Sequence, residues 1–367
     1  MTGRPLRILQ VMRAPVGGLF RHVIDLTEQL AARGHAVGIV VDTLANDAQT
    51  EILLKALEAH ASLGIHRFEM PRVFGAGDIK TPFAVSKLAR RLDIDVMHGH
   101  GAKGGFYARL ASYGKNRAKV FYTPHGGVLH YKADSAMGRL FHALERALMP
   151  KTSALIFESA YAEKTYEELI GAPTCPTRII HNGIRPEEFE PIILAPDAAE
   201  FVFVGALREL KGIYPLVEAL AGIPDVRLVM AGDGEERTAL EARIAELGIG
   251  ERVTLVGSQP ARKVFAMGRC VVVPSLAESL PYIIMEAAAA RRPVISTQVG
   301  GIGEIFGPTA GSLIAPNDPV ALRAAMLGYL QHPDEADAEM NVRLGHIKEA
   351  FSVARMVDEI EALYRSD

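Results

Sequence analysis

The residues able to do chemistry in this chain are a few charged and imidazole side chains set between glycines and apolar runs. Glu278 and Glu286 stand eight apart in Glu278-Ser279-Leu280-Pro281-Tyr282-Ile283-Ile284-Met285-Glu286. Glu286 is surrounded by Ile283, Ile284, Met285 and Ala287 to Ala290, and an acid in so apolar a stretch needs a partner or a ligand. Two unrelated acids, one on a loop and one on a helix, account for the spacing equally well. Arg208 and Lys211 form a basic pair three apart. Such a pair suits a diphosphate, because arginine grips phosphate oxygens with a planar fork and lysine adds a mobile point charge. A solvated loop pair is the plainer alternative. His125 follows an apolar run and precedes Gly126-Gly127, which leave room for a ligand. His98-Gly99-His100 ends another such run.

The elements that must position these residues alternate strand and helix. Apolar runs at Leu6–Met12, Ala36–Val41, Val96–His98, Lys119–Thr123, Ala154–Phe157 and Arg178–His181 read as strands of one sheet. The plan restarts with Phe201–Val204, Val226–Met230, Val253–Val256, Cys270–Val273, Pro293–Ser296 and Gly311–Ile314. Helices are expected from about Leu19 to Ala32, from Ser135 to Met149, from near Tyr214, from Pro281 to about Ala290, and at Val320–Leu330, Ala336–Ala350 and Val353–Arg365. Pro281 fits the first helical position, where a proline loses no helical bond. In open α/β sheets ligands bind outside the carboxyl ends of the strands. That edge holds His100, His125, Arg208, Lys211 and Glu278. Gly17 and Gly18, on the loop after the first strand, let a phosphate or sugar approach the backbone, and a plain tight turn explains them as well.

The same rule excludes other chemistries. Asp93 and Asp95 form a D-x-D that precedes Val96–His98, at the wrong edge for a metal-bound ligand. No G-x-G-x-x-G follows the first strand, and Gly232-Asp233-Gly234 has Arg237 in the third glycine's place, so a nicotinamide dinucleotide is not expected. Cys175 and Cys270 are too few for a disulfide framework or a cysteine metal site. No compact basic stretch interleaved with aromatics points to nucleic acid.

At 367 residues, 49% hydrophobic and 23% charged, the chain has the make-up of two ordinary globular domains. No run of 18 apolar residues is present and the start of the chain shows no signal-peptide pattern, so a cytoplasmic protein is expected. The net charge of −3 divides unevenly. Residues 1–182 hold 23 Lys and Arg against 16 Asp and Glu, a balance of +7, whereas 183–367 hold 17 against 27, a balance of −10. A basic first half favours an anionic acceptor or the inner face of a membrane. Helix Ser135–Met149 carries Met137, Leu140, Phe141, Leu144 and Leu148 at helical spacing, flanked by Lys132, Arg139, Arg146 and Lys151. A membrane-surface helix and ordinary core packing fit that stripe equally.

The E-x7-E stretch resembles the motif of the retaining, GT-B-fold glycosyltransferases of family 4, the glycosyl transferases group 1. The likeness extends to Gly-Gly-Leu-Phe-Arg-His-Val at Gly17–Val23, to His125, to Asn182-Gly183-Ile184, and to G-x-L-x-x-x-K-G at Gly205–Gly212. Ser279-Leu280 stands where the family usually has Gly-Phe. The resemblance implies two Rossmann-like domains facing across a cleft. The first, 1–184 with the C-terminal helix 352–367 crossing back, would take the acceptor. The second, 198–350, would take a nucleotide-sugar. It also implies that Arg208 and Lys211 bind the donor diphosphate, that Glu278 with Ser279 and Leu280 contacts the donor sugar, and that Glu286 binds the ribose hydroxyls. The Gly257 loop would meet the base through its backbone, and His125 would lie near the reactive carbon. Gly17, Gly18 and His100 would line the acceptor side.

The expected activity is retaining hexosyl transfer, with a UDP-sugar favoured over a GDP-sugar, to a glycan or lipid-linked acceptor in cell-surface polysaccharide synthesis. No metal or other cofactor is required, because Arg208 and Lys211 neutralise the leaving diphosphate. The rivals are a GT-B nucleotide-sugar epimerase, which needs no acceptor, and a non-catalytic sugar-binding protein.

Overall fold

The structure is a computed structural model that describes residues 4–43, 48–71, 75, 77–113, 117–130 and 134–366. The chain divides into two compact units, Met1–Gly183 with Val353–Asp367, and Ile184–Ser352.

In the first unit the elements run β1 (Arg7–Met12), α1 (Gly17–Ala32), β2 (Ala36–Asp42), α2 (Ala48–Leu57), β3 (Ile65–Phe68), α3 (Gly77–Arg91), β4 (Val96–His100), α4 (Gly101–Ala111), β5 (Lys119–Thr123), α5 (Ala136–Leu148), β6 (Ala154–Phe157), α6 (Ala160–Leu169) and β7 (Thr177–Ile179). Among the described residues they build a seven-stranded parallel sheet in the order β3-β2-β1-β4-β5-β6-β7. The second unit runs β8 (Ala199–Val204), α7 (Ile213–Ala221), β9 (Leu228–Ala231), α8 (Arg237–Glu246), β10 (Val253–Leu255), α9 (Ala261–Phe265), β11 (Gly268–Val273), α10 (Tyr282–Ala289), β12 (Val294–Ser296), α11 (Ile302–Phe306), α12 (Pro319–Gln331) and α13 (Pro333–Ala350). Its parallel sheet has the order β10-β9-β8-β11-β12. The last helix, α14 (Val353–Arg365), belongs to the first unit.

The strands read as apolar runs because both faces of each sheet are covered by helices. Ile8, Leu9, Val11 and Met12 of β1 are fully buried, as are Cys270, Val271 and Val272 of β11. In the first unit α14 closes the core, packing Val353, Met356, Val357, Ile360 and Tyr364 with Leu26 and Leu30 of α1 and with Ile8, Val37, Val96 and Phe121 from four strands. Its polar edge is fixed too: Glu361 accepts from Arg33 at 3.0 Å and from Arg365 at 3.0 Å.

Several expectations need correction. Gly311–Ile314 is not a strand. Gly307–Ser312 coils as a short 3-10 stretch opened by Pro308, and only Ile314 makes a single bridge, to Thr297. A proline that cannot donate and hydroxyls of Thr309 and Ser312 that turn back on the local backbone favour the coil. Pro281 is the residue before α10 and not its first, with an extended ψ of 120°. Helix α1 begins at Gly17, so Gly17 and Gly18 form its first turn and not a loop. Helix α13 begins three residues before Ala336, with Pro333 at its first position. Elements α2, β3, α3 and α4 carry no strong sequence signal; β3 is four half-buried residues at a sheet edge.

Candidate functional sites

Both sheets reverse their strand order at one point, between β1 and β4 in the first unit and between β8 and β11 in the second. The crevice outside such a point is where open α/β sheets take ligands.

In the second unit the loop after β8 carries Arg208 and Lys211, and the loop after β11 carries Glu278. The structure brings two of these together. Lys211 Nζ lies 2.6 Å from Glu278 Oε1, which also accepts from Ser275 Oγ at 2.7 Å. Arg208 is more than half exposed and meets Glu235 at 3.2 Å. Lys211 therefore already has a counter-charge, whereas Arg208 holds its charge at the surface. The loops are clamped by glycines that no other residue could replace. Gly212 has φ +69°, and a Cβ there would sit 1.8 Å from Pro274 O. Gly300 has φ +57°, with a Cβ position 2.0 Å from Glu278 O, and Gly301 N–H donates to Ser279 O at 2.7 Å. The Gly300-Gly301 pair thus sets the path of the Glu278 loop. Its sequence signal is a doubled glycine after β12, in the position that ligand loops occupy.

The Ser279 hydroxyl is buried and has no protein partner. Leu280 is buried in the core beside it. Glu286 is half-buried on α10, one turn beyond the loop. Gly257 has φ +68° with open space where a Cβ would stand, and its carbonyl accepts from Gly232 N–H at 2.9 Å.

In the first unit four imidazoles gather at the switch point. His98 and His100 close β4, His125 follows β5, and His22 comes from the second turn of α1. His100 Nδ1 lies 3.1 Å from His125 Nε2, and His100 Nε2 lies 2.7 Å from Gln10 Oε1 of β1. His125 Nδ1 stands 2.8 Å from the Glu158 carboxylate, beyond the carboxyl end of β6. His22 Nδ1 meets Asn182 Oδ1 at 2.9 Å. His98 is held on both sides, by Tyr364 OH of α14 at 2.6 Å and by Thr123 Oγ1 at 2.9 Å. His125 itself has a positive φ of +48°, a conformation that non-glycine residues seldom adopt. Such strain persists where the surroundings over-determine it, as at functional sites.

Burial dominates the electrostatics here. It pushes His22 down to about 3, with the neighbouring His125 adding to the effect and the Asn182 bond opposing it. Burial and the adjacent imidazoles also hold His98 and His100 well below the ordinary histidine range. These three rings are neutral at physiological pH. Glycines Gly17 and Gly18 lie one turn before His22. Of the cluster, the sequence singles out His98, His100 and His125, holds His22 and Asn182 only inside the stretches that carry the resemblance, and does not single out Gln10 or Glu158. Glu158 was within reach, since it directly follows a strand's carboxyl end.

Behind this cluster α5 is anchored by a buried ion pair. Arg109 grips both Glu145 oxygens at 2.7 and 2.8 Å, and Tyr122 and Tyr166 donate to the same carboxylate. The polar side chains His142 and Glu145 are buried while Met137 and Leu140 are 40% and 45% exposed, so core packing explains only part of the apolar stripe. Phe141 and Leu144 are half-buried. Arg139 and Arg146 donate to backbone carbonyls of Asp134 and Ile170, and Lys151 stands 4.3 Å from the Tyr113 ring. Lys132 lies outside the described residues. Asp93 and Asp95 are at the amino end of β4, where Asp95 pairs with Arg4 at 2.5 Å and accepts from the Arg7 N–H. Among the described residues no helix is long and apolar enough to cross a membrane.

The profile for Glycosyl transferases group 1 matches residues 184–345, and that for Glycosyltransferase Family 4 matches residues 16–188. A glycogen synthase of Mycobacterium tuberculosis is 26% identical over 348 residues, covering 88% of this chain and 84% of its own. The gpi3 subunit of the phosphatidylinositol N-acetylglucosaminyltransferase of Schizosaccharomyces pombe is 24% identical over 365 residues, covering 95% of this chain and 78% of its own. Among solved structures, Anabaena HepE in complex with UDP superposes with a TM-score of 0.80 at 18% identity, over 98% of this chain and 99% of its own.

Proposed function

Given that the chain belongs to the glycosyl transferases group 1, family 4, and is a retaining GT-B glycosyltransferase that uses a nucleotide-sugar donor, we propose that it transfers a hexose from a UDP-sugar to a lipid-linked acceptor at an anionic membrane face. The observation that carries the donor half is the Lys211–Glu278 contact with Arg208 beside it, all on switch-point loops of the second sheet. Lys211 is preset against a carboxylate, so an entering diphosphate takes over a cation that is already in position. Arg208 swings from Glu235 to the phosphates, and both cations take the charge that develops as the nucleoside diphosphate departs. Glu278, released from Lys211, turns to the sugar hydroxyls with the Ser279 hydroxyl, and Glu286 takes the ribose. UDP is the favoured nucleotide because the HepE structure holds it. His125, oriented by Glu158, works beside the reacting carbon, with Gly17, Gly18 and His100 on the acceptor side.

The acceptor half rests on α3. Its outer face exposes Ile79 at 70% and Phe83 at 75%, together with Lys80, Lys87, Arg90 and Arg91. Its one acid, Asp78, is buried against Lys103 at 2.5 Å. Between α3 and α4 lies an open apolar groove of about 620 Å³, lined by Ile79, Pro82, Phe83, Phe106, Leu110 and Tyr113. Basic side chains around exposed aromatic and aliphatic anchors make a surface for anionic lipid, with roughly 1 kcal/mol per cation near the headgroups. The exposed part of α5 offers a second such face. The Schizosaccharomyces pombe relative, named for phosphatidylinositol, makes a lipid acceptor a natural choice.

The deciding experiment is calorimetry of the protein with UDP, GDP and ADP, followed by product analysis with the UDP-sugars of the common hexoses. Micromolar UDP binding and acceptor-dependent transfer are expected. Tighter binding of GDP or ADP would overturn the donor, and sugar release or epimerisation without any acceptor would overturn the transfer.

A further inference from the structure

We propose that His22, His100 and His125 form a transition-metal site suited to Zn2+, and that a metal held there blocks transfer by occupying Nε2 of His125, the ring nitrogen that faces His100. One ring nitrogen from each of the three lies within 4.8 Å of the other two. The arrangement of the remaining nitrogens gives the cluster its meaning. His22 Nδ1 faces the Asn182 oxygen, His100 Nε2 faces the Gln10 oxygen, and His125 Nδ1 faces the Glu158 carboxylate. Each imidazole thus has an oxygen acceptor on one nitrogen and turns the other inward. Metal-ligating histidines are supported in this way, the outer oxygen fixing the tautomer and raising the basicity of the ligating nitrogen. His22 Nε2 is buried and has no partner of its own, a cost that a metal would remove.

The distances fit. Zn–N bonds of about 2.0–2.1 Å in a tetrahedron place the nitrogens about 3.3 Å apart. His100 Nδ1 and His125 Nε2 are already 3.1 Å apart. The third nitrogen has to close in by at most about 1.5 Å, within reach of a side-chain rotation. Three neutral imidazoles suit Zn2+, Cu2+ or Ni2+ and leave a fourth position for water.

The inhibition, but not the binding, rests on the role proposed for His125. The test uses chelator-stripped protein without a polyhistidine tag. Calorimetry with Zn2+ should show one site per chain, and Co2+ substitution should give the intense visible bands of a four-coordinate ion. Asn182→Ala should weaken Zn2+ about 10–100-fold, and His22→Ala more than that. Transfer should fall in step with Zn2+ occupancy and return with chelator. The absence of a stoichiometric site, weak six-coordinate Co2+ bands, or unchanged Zn2+ affinity in a folded Asn182→Ala protein would each overturn the site. Zn2+ binding at full occupancy with undiminished transfer would leave the site standing and overturn the role of His125.

Discussion

The two sheets share a strand order, β3-β2-β1-β4-β5 in one and β10-β9-β8-β11-β12 in the other, yet their switch points are equipped in opposite ways. The first holds three imidazoles on or just beyond strand ends and a fourth from α1, packed ring against ring and hydrogen-bonded to their neighbours. The second holds Arg208 and Lys211 on a loop, partly in water, with carboxylates as partners. One is dry and preset, and the other holds cations already paired with carboxylates and waits for a ligand that can replace them. Topology chooses where a ligand meets the sheet, while burial chooses what chemistry is possible there. Neutral rings survive in the first site because desolvation penalises their charge. Cations survive in the second because solvent and carboxylates support them.

That contrast can be broken most sharply at His125. His125→Ala should lower transfer by about 10²–10⁴-fold, the range for loss of a positioned acid–base group. UDP affinity should stay within about twofold, since no donor ligand is touched. Calorimetry beside a transfer assay, both with chelator present, checks this. A variant that transfers normally makes His125 a packing residue only.

Glu145→Ala tests how far the preset site depends on its buried support. Removing one partner of a buried ion pair leaves the other uncompensated, at about 3–5 kcal/mol. Burial works against the Arg109 charge, and Glu145 more than offsets it, holding that guanidinium above its usual range. Denaturant unfolding should show a loss of that size. A change below about 1 kcal/mol would mean that Arg109 finds water or Tyr122 instead.

On the waiting site, Lys211→Ala should cost about 1.5–3 kcal/mol of UDP binding, the scale of a charge-assisted hydrogen bond. Glu278→Gln is the informative companion. It frees Lys211 from its counter-charge, so UDP itself should bind as tightly or more tightly, while transfer falls. Equal UDP affinity in wild type and Lys211→Ala would remove that lysine from the donor site.

Much of this was legible because a parallel sheet puts its ligands at one edge. Apolar runs give the strands, and the residues just after them are then candidates, as with His100, His125 and Lys211. The partners were less legible. Gln10 lies inside β1, and only the pairing of β1 with β4 brings it beside His100. Asn182 is 160 residues from His22. Such neighbours follow from three-dimensional pairing, which spacing along one chain does not encode. Helix α5 shows a second limit. Its apolar stripe fits a core face and a membrane-surface face equally, whereas the core side is held by His142 and Glu145, and a buried carboxylate looks like a surface residue until Arg109 is placed beside it. Gly311–Ile314 shows a third, since four residues with one glycine do not outweigh Pro308 upstream.

The smallest expected effect concerns α14, which supports only the preset site. Tyr364 of this helix holds His98, and Glu361 fastens the helix to Arg33 and to its own Arg365. Burial pushes the Glu361 carboxyl up, but its donors Arg33, Arg365 and His35 outweigh that and hold it at about 2, below the ordinary 4.5. A carboxyl depressed in the folded state adds stability that is fully present above its unfolded pKa. That stability is lost as pH falls through the folded value, because the unfolded chain binds the proton first. Glu361→Gln keeps the shape and one acceptor oxygen and removes the charge. It should cost about 1–2 kcal/mol at pH 7, discounted because Arg33 and Arg365 are partly solvated. The gap between wild type and variant should narrow from about pH 4.5 downward and close near pH 2. UDP affinity should not change, since α14 belongs to the first unit, and the loops proposed to hold the diphosphate belong to the second. Unfolding midpoints of both proteins from pH 7 to pH 3 decide it: a gap that stays constant across that range would mean that Glu361 holds α14 by shape, and that its charge contributes nothing.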